Sequence, residues 1–324
     1  MKTSVNKRQI TKTGKYVYGI AEMHRQSNVA INRLVDHLVG IDQQKVDWIC
    51  YNDLAAIVSS MPFNRIQKVI TNIRAGVKDS ISYVLAHQQV VENIRRAGFV
   101  ILPVRFGSVA KEADVRLLLT KQYSNLKLKI ARFQHKDEIG IRIIMTPEGD
   151  RKVSQIVQES PEIRRLKSQI QDLSMQPSAH QGSLYFSNLR LNDMINNQRF
   201  KRIDEITRQV HQRLAALSGA WSELSKETRQ TVFNRSYLVD RSRIKEFESA
   251  LEDIQRNCST RYGMTIHQSG PWAPYSFCMN EVVPLIDTSI ANDSTHRQRQ
   301  GNSNPHHYRL VKKDSRTERS KMIA

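Results

Sequence analysis

EIGIRIIMT, residues Glu138–Thr146, is the stretch that decides the fold, because a well-ordered run of elements follows it. It reads as a strand. Pro147-Glu-Gly-Asp150 after it reads as a turn. Ile163, Leu166, Ile170 and Leu173 then recur at helical spacing behind Pro161, a residue the first turn of a helix tolerates. SMQPSAHQGS (174–183) is a Ser/Pro/Gly linker. Phe200, Ile203, Thr207, Val210, Leu214 and Leu217 keep three-to-four spacing for five turns, the clearest helix in the chain. Trp221–Leu224 and Thr231–Val239 are strand-like, Ile244, Phe247, Leu251 and Ile254 mark another amphipathic helix, and Tyr262–Ile266 gives a last strand. The order β-α-α-β-β-α-β predicts a modified ferredoxin-like domain over 138–287, a split βαβ with one extra helix.

Working outward toward the N-terminus, KYVYGIAE (Lys15–Glu22) is an aromatic, β-branched strand. Ser27 or Asn28 caps a helix whose apolar face is Ile31, Leu34, Val35 and Leu38, stopped by Gly40. Val46–Tyr51 and Leu54–Val58 flank Asn52-Asp53, which predicts a hairpin, and Pro62 ends that unit. Residues 80–97 return to helical period. Val84, His87, Val91 and Ile94 share one face, Glu92, Arg95 and Arg96 lie away from it, and Gly98 closes the helix. FVILPVRFG (99–107) follows as a buried strand interrupted by Pro103. Val115, Leu119, Gln122, Leu126, Ile130 and Phe133 predict one long second helix. The fold class is therefore α+β in two domains, an N-terminal mixed α+β domain at 15–137 and the ferredoxin-like domain at 138–287. Basic disordered tails are expected at 1–14 and 288–324.

The two terminal segments, 1–15 and 288–324, carry just over half of the excess charge. The chain of 324 residues has 50 Lys+Arg against 31 Asp+Glu, a formal +19. Residues 1–15 hold five Lys/Arg and no acid, and 288–324 hold eight against three, so each end contributes +5 and the body keeps +9 of the +19. A basic tail attracts nucleic acid weakly and non-specifically, and it also serves as a solubilising appendage. In the body the bases are interleaved with acids. Lys201, Arg202, Arg208 and Arg213 share their helix surface with Asp204 and Glu205, as on a solvated face. The longest apolar run is the six residues Phe99–Val104, far short of the ~20 a membrane span needs. MKTSVNKRQITKTGK has no apolar run behind its charges, so no secretory signal is expected. Cys50, Cys258 and Cys278 are scattered, which fits a reducing cytoplasm.

Catalytic signatures are missing from the sequence. There is no Gly-rich phosphate loop, Gly-x-Ser-x-Gly, His-Glu-x-x-His or Cys-x-x-Cys, so no enzyme, cofactor or metal is expected. His87, the lone histidine on an apolar helix face, is more often a buried imidazole bonded to a backbone carbonyl than a proton shuttle. His306-His307 lies in the tail and is no designed metal site. Two segments rise above background. LPVRFGSV (102–109) sets Arg105, Phe106 and Gly107 after a buried strand, where a buried Arg needs a planar acceptor. SGPWAPYSF (269–277) holds Gly270, Pro271, Trp272, Tyr275 and Phe277 in a stretch stiffened by two prolines. Such a segment more often plugs a domain interface than binds a partner, and Trp272 is expected to be mostly buried.

YVYGIA, AHQQVVENI with VILPVRFGSV, EIGIRI, YLVD and GPWAPYSF occur in an order that resembles the GvpF/GvpL family of gas vesicle proteins, over residues 15–280. The chain departs from the family at Gly182-Ser-Leu-Tyr-Phe186, where Gly-x-Tyr-Leu is common, at Ser108 for Thr, and at Ala273 for Pro. The resemblance implies a non-enzymatic accessory or minor structural protein of a cytoplasmic gas vesicle. It implies that the N-terminal domain contacts the small, hydrophobic shell subunit and assists nucleation, alongside other gas vesicle accessory proteins. Charge alone offers a different reading, a nucleic-acid-associated protein acting through its tails.

Overall fold

The computed structural model describes residues 13–23, 37–75, 77, 81–175, 181–226 and 228–282. Most of the helix expected after Ser27, residues 176–180 of the linker and nearly all of both basic tails lie outside these residues, and the helix's expected end at 37–40 is not helical, with Val39 in a bridge to Lys45. The described residues form two compact units. One takes the chain up to Glu138 and again from Pro271 onward, and the other takes Ile139–Gly270. This grouping differs from limits of 15–137 and 138–287 in one respect, since Pro271–Val282 returns to the first unit.

In the first unit, β1 (Thr13–Glu22), β2 (Val46–Tyr51) and β3 (Leu54–Pro62) are antiparallel neighbours. The β2–β3 hairpin turns at Asn52-Asp53 with Tyr51 opposite Leu54, as its turn pair predicts. The sheet order is β2-β3-β1-β4, where β4 is Ile101–Pro103, and β5 (Val109–Ala110) also pairs with β1. α1 (Phe63–Arg74) follows β3 directly, where only a stop at Pro62 is expected from the sequence. α2 (Ile81–Arg96) buries His87, Val90, Val91, Glu92 and Ile94. The single helix expected over 115–133 is two, α3 (Glu112–Lys121) and α4 (Tyr123–Phe133), parted at Gln122 with φ −105° and ψ 12°. At the break the Tyr123 hydroxyl donates to Asp53 at 2.6 Å, and its ring meets Tyr51 edge-on, so a tertiary contact outweighs unbroken periodicity. α9 (Tyr275–Val282) completes the unit, and Ala273 lies in its core.

The second unit is the ferredoxin-like domain. Its sheet order is β7-β8-β6-β9, with β6 Lys136–Met145, β7 Ala220–Glu223, β8 Thr231–Asp240 and β9 Met264–Trp272. Its helices are α5 (Pro147–Gln158), α6 (Pro161–Ser174), α7 (Gln181–Ala215) and α8 (Ile244–Tyr262). The first crossover thus carries two extra helices rather than one, because the expected turn at Pro147 is the start of α5. Thr146 Oγ1 accepts the Gly149 N–H at 3.0 Å, Pro147 sits in the first turn, and Glu148 and Asp150 face the helix dipole there. Turn-like composition and a helix start are the same chemistry at this site. Alternating Ile139, Ile141, Ile143 and Met145 face Phe247, Leu251 and Ile254 of α8 and Ile206, Val210 and Leu214 of α7 in one core. Among the described residues no helix is long and apolar enough to cross a membrane.

Candidate functional site

Residues two apart on a strand share a face, so β1 directs both Tyr16 and Tyr18 into the first unit's core. Between Val17 and Gly19 the register with β3 shifts. On the other edge, β4 and β5 pair with β1 on either side of Val104–Ser108, so the VRFGS segment arches out as a loop. Its ends are pinned to β1: the Val104 N–H bonds Tyr18 O at 3.1 Å, and the Val17 N–H bonds Ser108 O at 2.9 Å. Gly107 takes φ 86°, a left-handed turn that disfavours any side chain. This geometry aims the Gly107 N–H at the Tyr16 hydroxyl, 3.0 Å away.

His87 fills the space above the two tyrosines and is 3% exposed. Its Nδ1 lies 2.9 Å from the Tyr16 hydroxyl, and four rings surround it: Tyr16, Tyr18, Phe106 and Tyr275, with centroids 5.5–6.3 Å away. One proton arrangement serves the Tyr16 side of the ring. Gly107 N–H donates to Tyr16 and Tyr16 donates to Nδ1, while the protonated Nε2 is buried toward the Val104 backbone and makes no hydrogen bond among the described residues. A parallel chain runs from Ile41 N–H to Tyr18, to Ser59 Oγ at 3.0 Å, and on to the Lys45 carbonyl. Burial holds His87 neutral and pushes its pKa down to about 4, partly offset by Val104. Burial likewise raises the Tyr16 phenol well above its ordinary value.

A neutral imidazole locked between tyrosines works as a structural cross-link at neutral pH. It also makes stability fall with acid. The unfolded histidine takes a proton below pH ~6.5, whereas the folded one resists until about pH 4. Stability from this group is therefore complete above pH 6.5 and drains away toward pH 4, by about 3 kcal/mol in all. Denaturant titrations of wild type and His87→Gln at pH 7 and pH 4.5 check this, and the variant should lose less stability on acidification. His211 keeps a second, half-buried contribution of the same sign in the other unit, where burial and Arg235 also lower it to about 4.

The GPWAPYSF motif is held in this unit by buried carboxylates. Glu92, expected on the polar side of its helix, is 5% exposed. It accepts the Ala273 N–H at 2.9 Å and pairs with Arg95 at 2.7 Å, and Arg95 reaches Asp137 at 3.0 Å. Glu138 accepts the Ser276 N–H at 2.8 Å and its hydroxyl at 2.5 Å, at the start of α9. The WAPYSF segment is thus held by one carboxylate from α2 and one from the end of the first unit's leading stretch. Charge-assisted bonds of this kind are roughly twice as strong as neutral ones.

The residues singled out from sequence separate into two groups. His87, Phe106, Gly107 and Tyr275 come together in the nest. Arg105 does not: its side chain is exposed, because the turn after Pro103 swings it outward, and only its carbonyl is used, by Ser108 N–H and Oγ. Trp272 is half-buried rather than mostly buried, with Pro271 beside it, and the motif's enclosed residues are Ala273, Pro274 and Phe277. Gly270 ends the second unit with φ 105°, a conformation that favours glycine. Tyr16, Tyr18, Glu92, Arg95, Asp137 and Glu138 were missed. Only the i, i+2 tyrosines left a signal in the sequence. Among the described residues no three His, Cys, Asp or Glu side chains cluster closely enough to hold a metal ion.

Residues 14–279 match the family described as gas vesicle synthesis protein GvpL/GvpF, and the chain belongs to that family. It is 25% identical over 271 residues to gas vesicle protein F of Streptomyces sp. (strain CB03234), covering 81% of this chain and 98% of that one. Gas vesicle protein L of the same strain is 23% identical over 247 residues, 74% of this chain and 85% of the relative. The crystal structure of the gas vesicle protein GvpF from Anabaena sp. PCC7120 shares the fold, with a TM-score of 0.63 at 20% identity over 83% of this chain and 99% of that one. The GvpF structure from Microcystis aeruginosa gives 0.58 at 22% identity over 82% and 99%.

Proposed function

We propose that this chain is a non-enzymatic gas vesicle accessory or minor structural protein that binds the small hydrophobic shell subunit and assists nucleation and assembly. Membership of the gas vesicle family over 14–279 carries the reading. The geometry supports it on two counts. The family-like motifs LPVRFG and GPWAPYSF are occupied in packing the first unit, which is a structural use of both. The same unit also presents apolar side chains to solvent on α2, where Ile81 (62% exposed), Val84 and Leu85 (58%) form a patch three to four residues apart. A hydrophobic subunit has an apolar surface to offer such a patch.

The test is co-purification of the full chain with co-expressed shell subunit, in wild type and in Ile81→Glu/Leu85→Glu. Both side chains are exposed, so the double variant should melt like wild type while losing most of the bound subunit. Unchanged co-purification would remove the first unit's patch from the interface. The intact chain is required, because a fragment ending near Lys136 would lack Ala273 and α9 and would expose the core they cover. The nucleic-acid reading gains no support from the body. Arg202 pairs with Glu205 at 3.0 Å and Arg213 with Asp253 at 2.8 Å, so these bases are spent on neighbouring acids.

A further inference from the structure

The second unit carries an apolar surface that its own core does not use. α7 runs for 35 residues, yet its buried residues, Ile206, Thr207, Val210 and Leu214, all lie in the last three turns. Along its first half, Leu184, Leu191, Met194 and Ile195 are half-buried on the side that α6 packs against. The opposite side bears Tyr185 and Leu189 one turn apart, with Phe186 flanking, and Phe200 eleven residues further along the same face, with Asn192, Asp193 and Asn196 between them. Phe186 is 68% exposed and Phe200 72%, while the Tyr185 and Phe186 rings meet edge-on at 5.7 Å. From Tyr185 to Phe200 the ridge spans about 22 Å, four turns of helix.

At its foot the ridge opens into a cleft of about 790 Å³ lined by Arg199, Phe200 and Ile203 of α7, the start of α5, and the β7–β8 loop. Asp150 neutralises Arg199. Lys226 and Arg229, from the loop, line the same cleft and make no ion pair among the described residues. The Arg199 Nε is buried there without a hydrogen-bond partner among them. Arg190 and Lys201 flank the ridge and Asp193 lies on it, so with Lys226 and Arg229 the balance from ridge to cleft is basic.

We propose that the outward face of α7 and the cleft at its foot form a docking site for an acidic amphipathic helix of a partner protein, separate from the first unit's contact with the shell subunit. Tyr185, Phe186 and Leu189 at one end and Phe200 at the other offer apolar anchors about four turns apart to a helix laid alongside, and Lys226 and Arg229, which make no ion pair among the described residues, select a partner with carboxylates at one end. A nucleic acid strand would find no row of cations along the ridge.

The probe is a fluorescein-labelled 18-residue helical peptide with leucines on one face and glutamates on the other, read by anisotropy against the full chain. A lysine-for-glutamate counterpart is the control. The glutamate peptide should bind at least about tenfold more tightly than the lysine one. Phe186→Ser/Leu189→Ser should weaken it about tenfold, and Lys226→Glu/Arg229→Glu should abolish or invert the charge preference. All four side chains are exposed, so melting should not change. Equal binding of both peptides overturns the proposal, and so does binding that neither variant alters. Competition by a duplex oligonucleotide, or self-association in light scattering that the ridge variant abolishes, assigns the surface elsewhere and also overturns it. Neither readout involves the shell subunit, so failure here leaves the first-unit contact standing, and the converse holds.

Discussion

Phe277→Ala should lower the stability of the first unit by about 3–5 kcal/mol, the usual cost of truncating a buried phenylalanine. The side chain is 2% exposed on α9, which sits against β4. A domain holds only ~5–15 kcal/mol in all, so the variant should melt far earlier and accumulate as insoluble protein. Trp272→Ala is the comparison. Its indole is half-buried, so the loss should be roughly half as large or less. Thermal melts of the two variants beside wild type decide the ranking. An equal loss at Trp272 would show that the indole is enclosed more tightly than its exposure indicates.

Glu92→Ala should be almost as damaging, at about 3–5 kcal/mol, through a different mechanism. Removing one member of a buried ion pair leaves its partners desolvated and unsatisfied. Here those are the Arg95 guanidinium and the Ala273 N–H. Glu92→Gln keeps an acceptor for the amide, and Asp137 stays on Arg95, so it should cost clearly less. Denaturant midpoints of the two variants measure the gap. If Gln and Ala are equally harmful, the charge pairing is what matters; if both are harmless, the carboxylate clamp on the 273–276 segment is not a stabilising contact.

The second unit was legible because its periods are clean. The strand at 138–146, the 200–217 helix and the Thr231–Val239 strand each follow one repeat, and their order fixes the sheet. What misled the reading was chemistry shared by two structures. Thr146-Pro147-Glu-Gly-Asp is both a turn composition and a helix cap. Gln122 interrupts a continuous apolar period because Tyr123 reaches a residue 70 positions away, which periodicity does not register. His87 was visible as an odd residue on an apolar face and it is buried, but its hydrogen bond goes to the Tyr16 hydroxyl rather than to a backbone carbonyl. Its partners were not visible. Tyr16, Gly107 and Tyr275 converge from points up to 259 residues apart in sequence, and Glu92 looks like any surface glutamate until the Ala273 amide arrives. Arg105 failed for the reverse reason: flanking apolar residues suggested burial, while a single turn reversed the side chain.

The proposed role in vesicle assembly runs through contact with the shell subunit. The direct measurement is complementation of a gas-vesicle-forming strain lacking this chain, scored by electron microscopy. Wild type and His87→Gln should restore vesicles, while Ile81→Glu/Leu85→Glu, folded and present at normal levels, should leave few or none. Normal vesicle numbers with the patch variant, or with no copy of the chain at all, would contradict it.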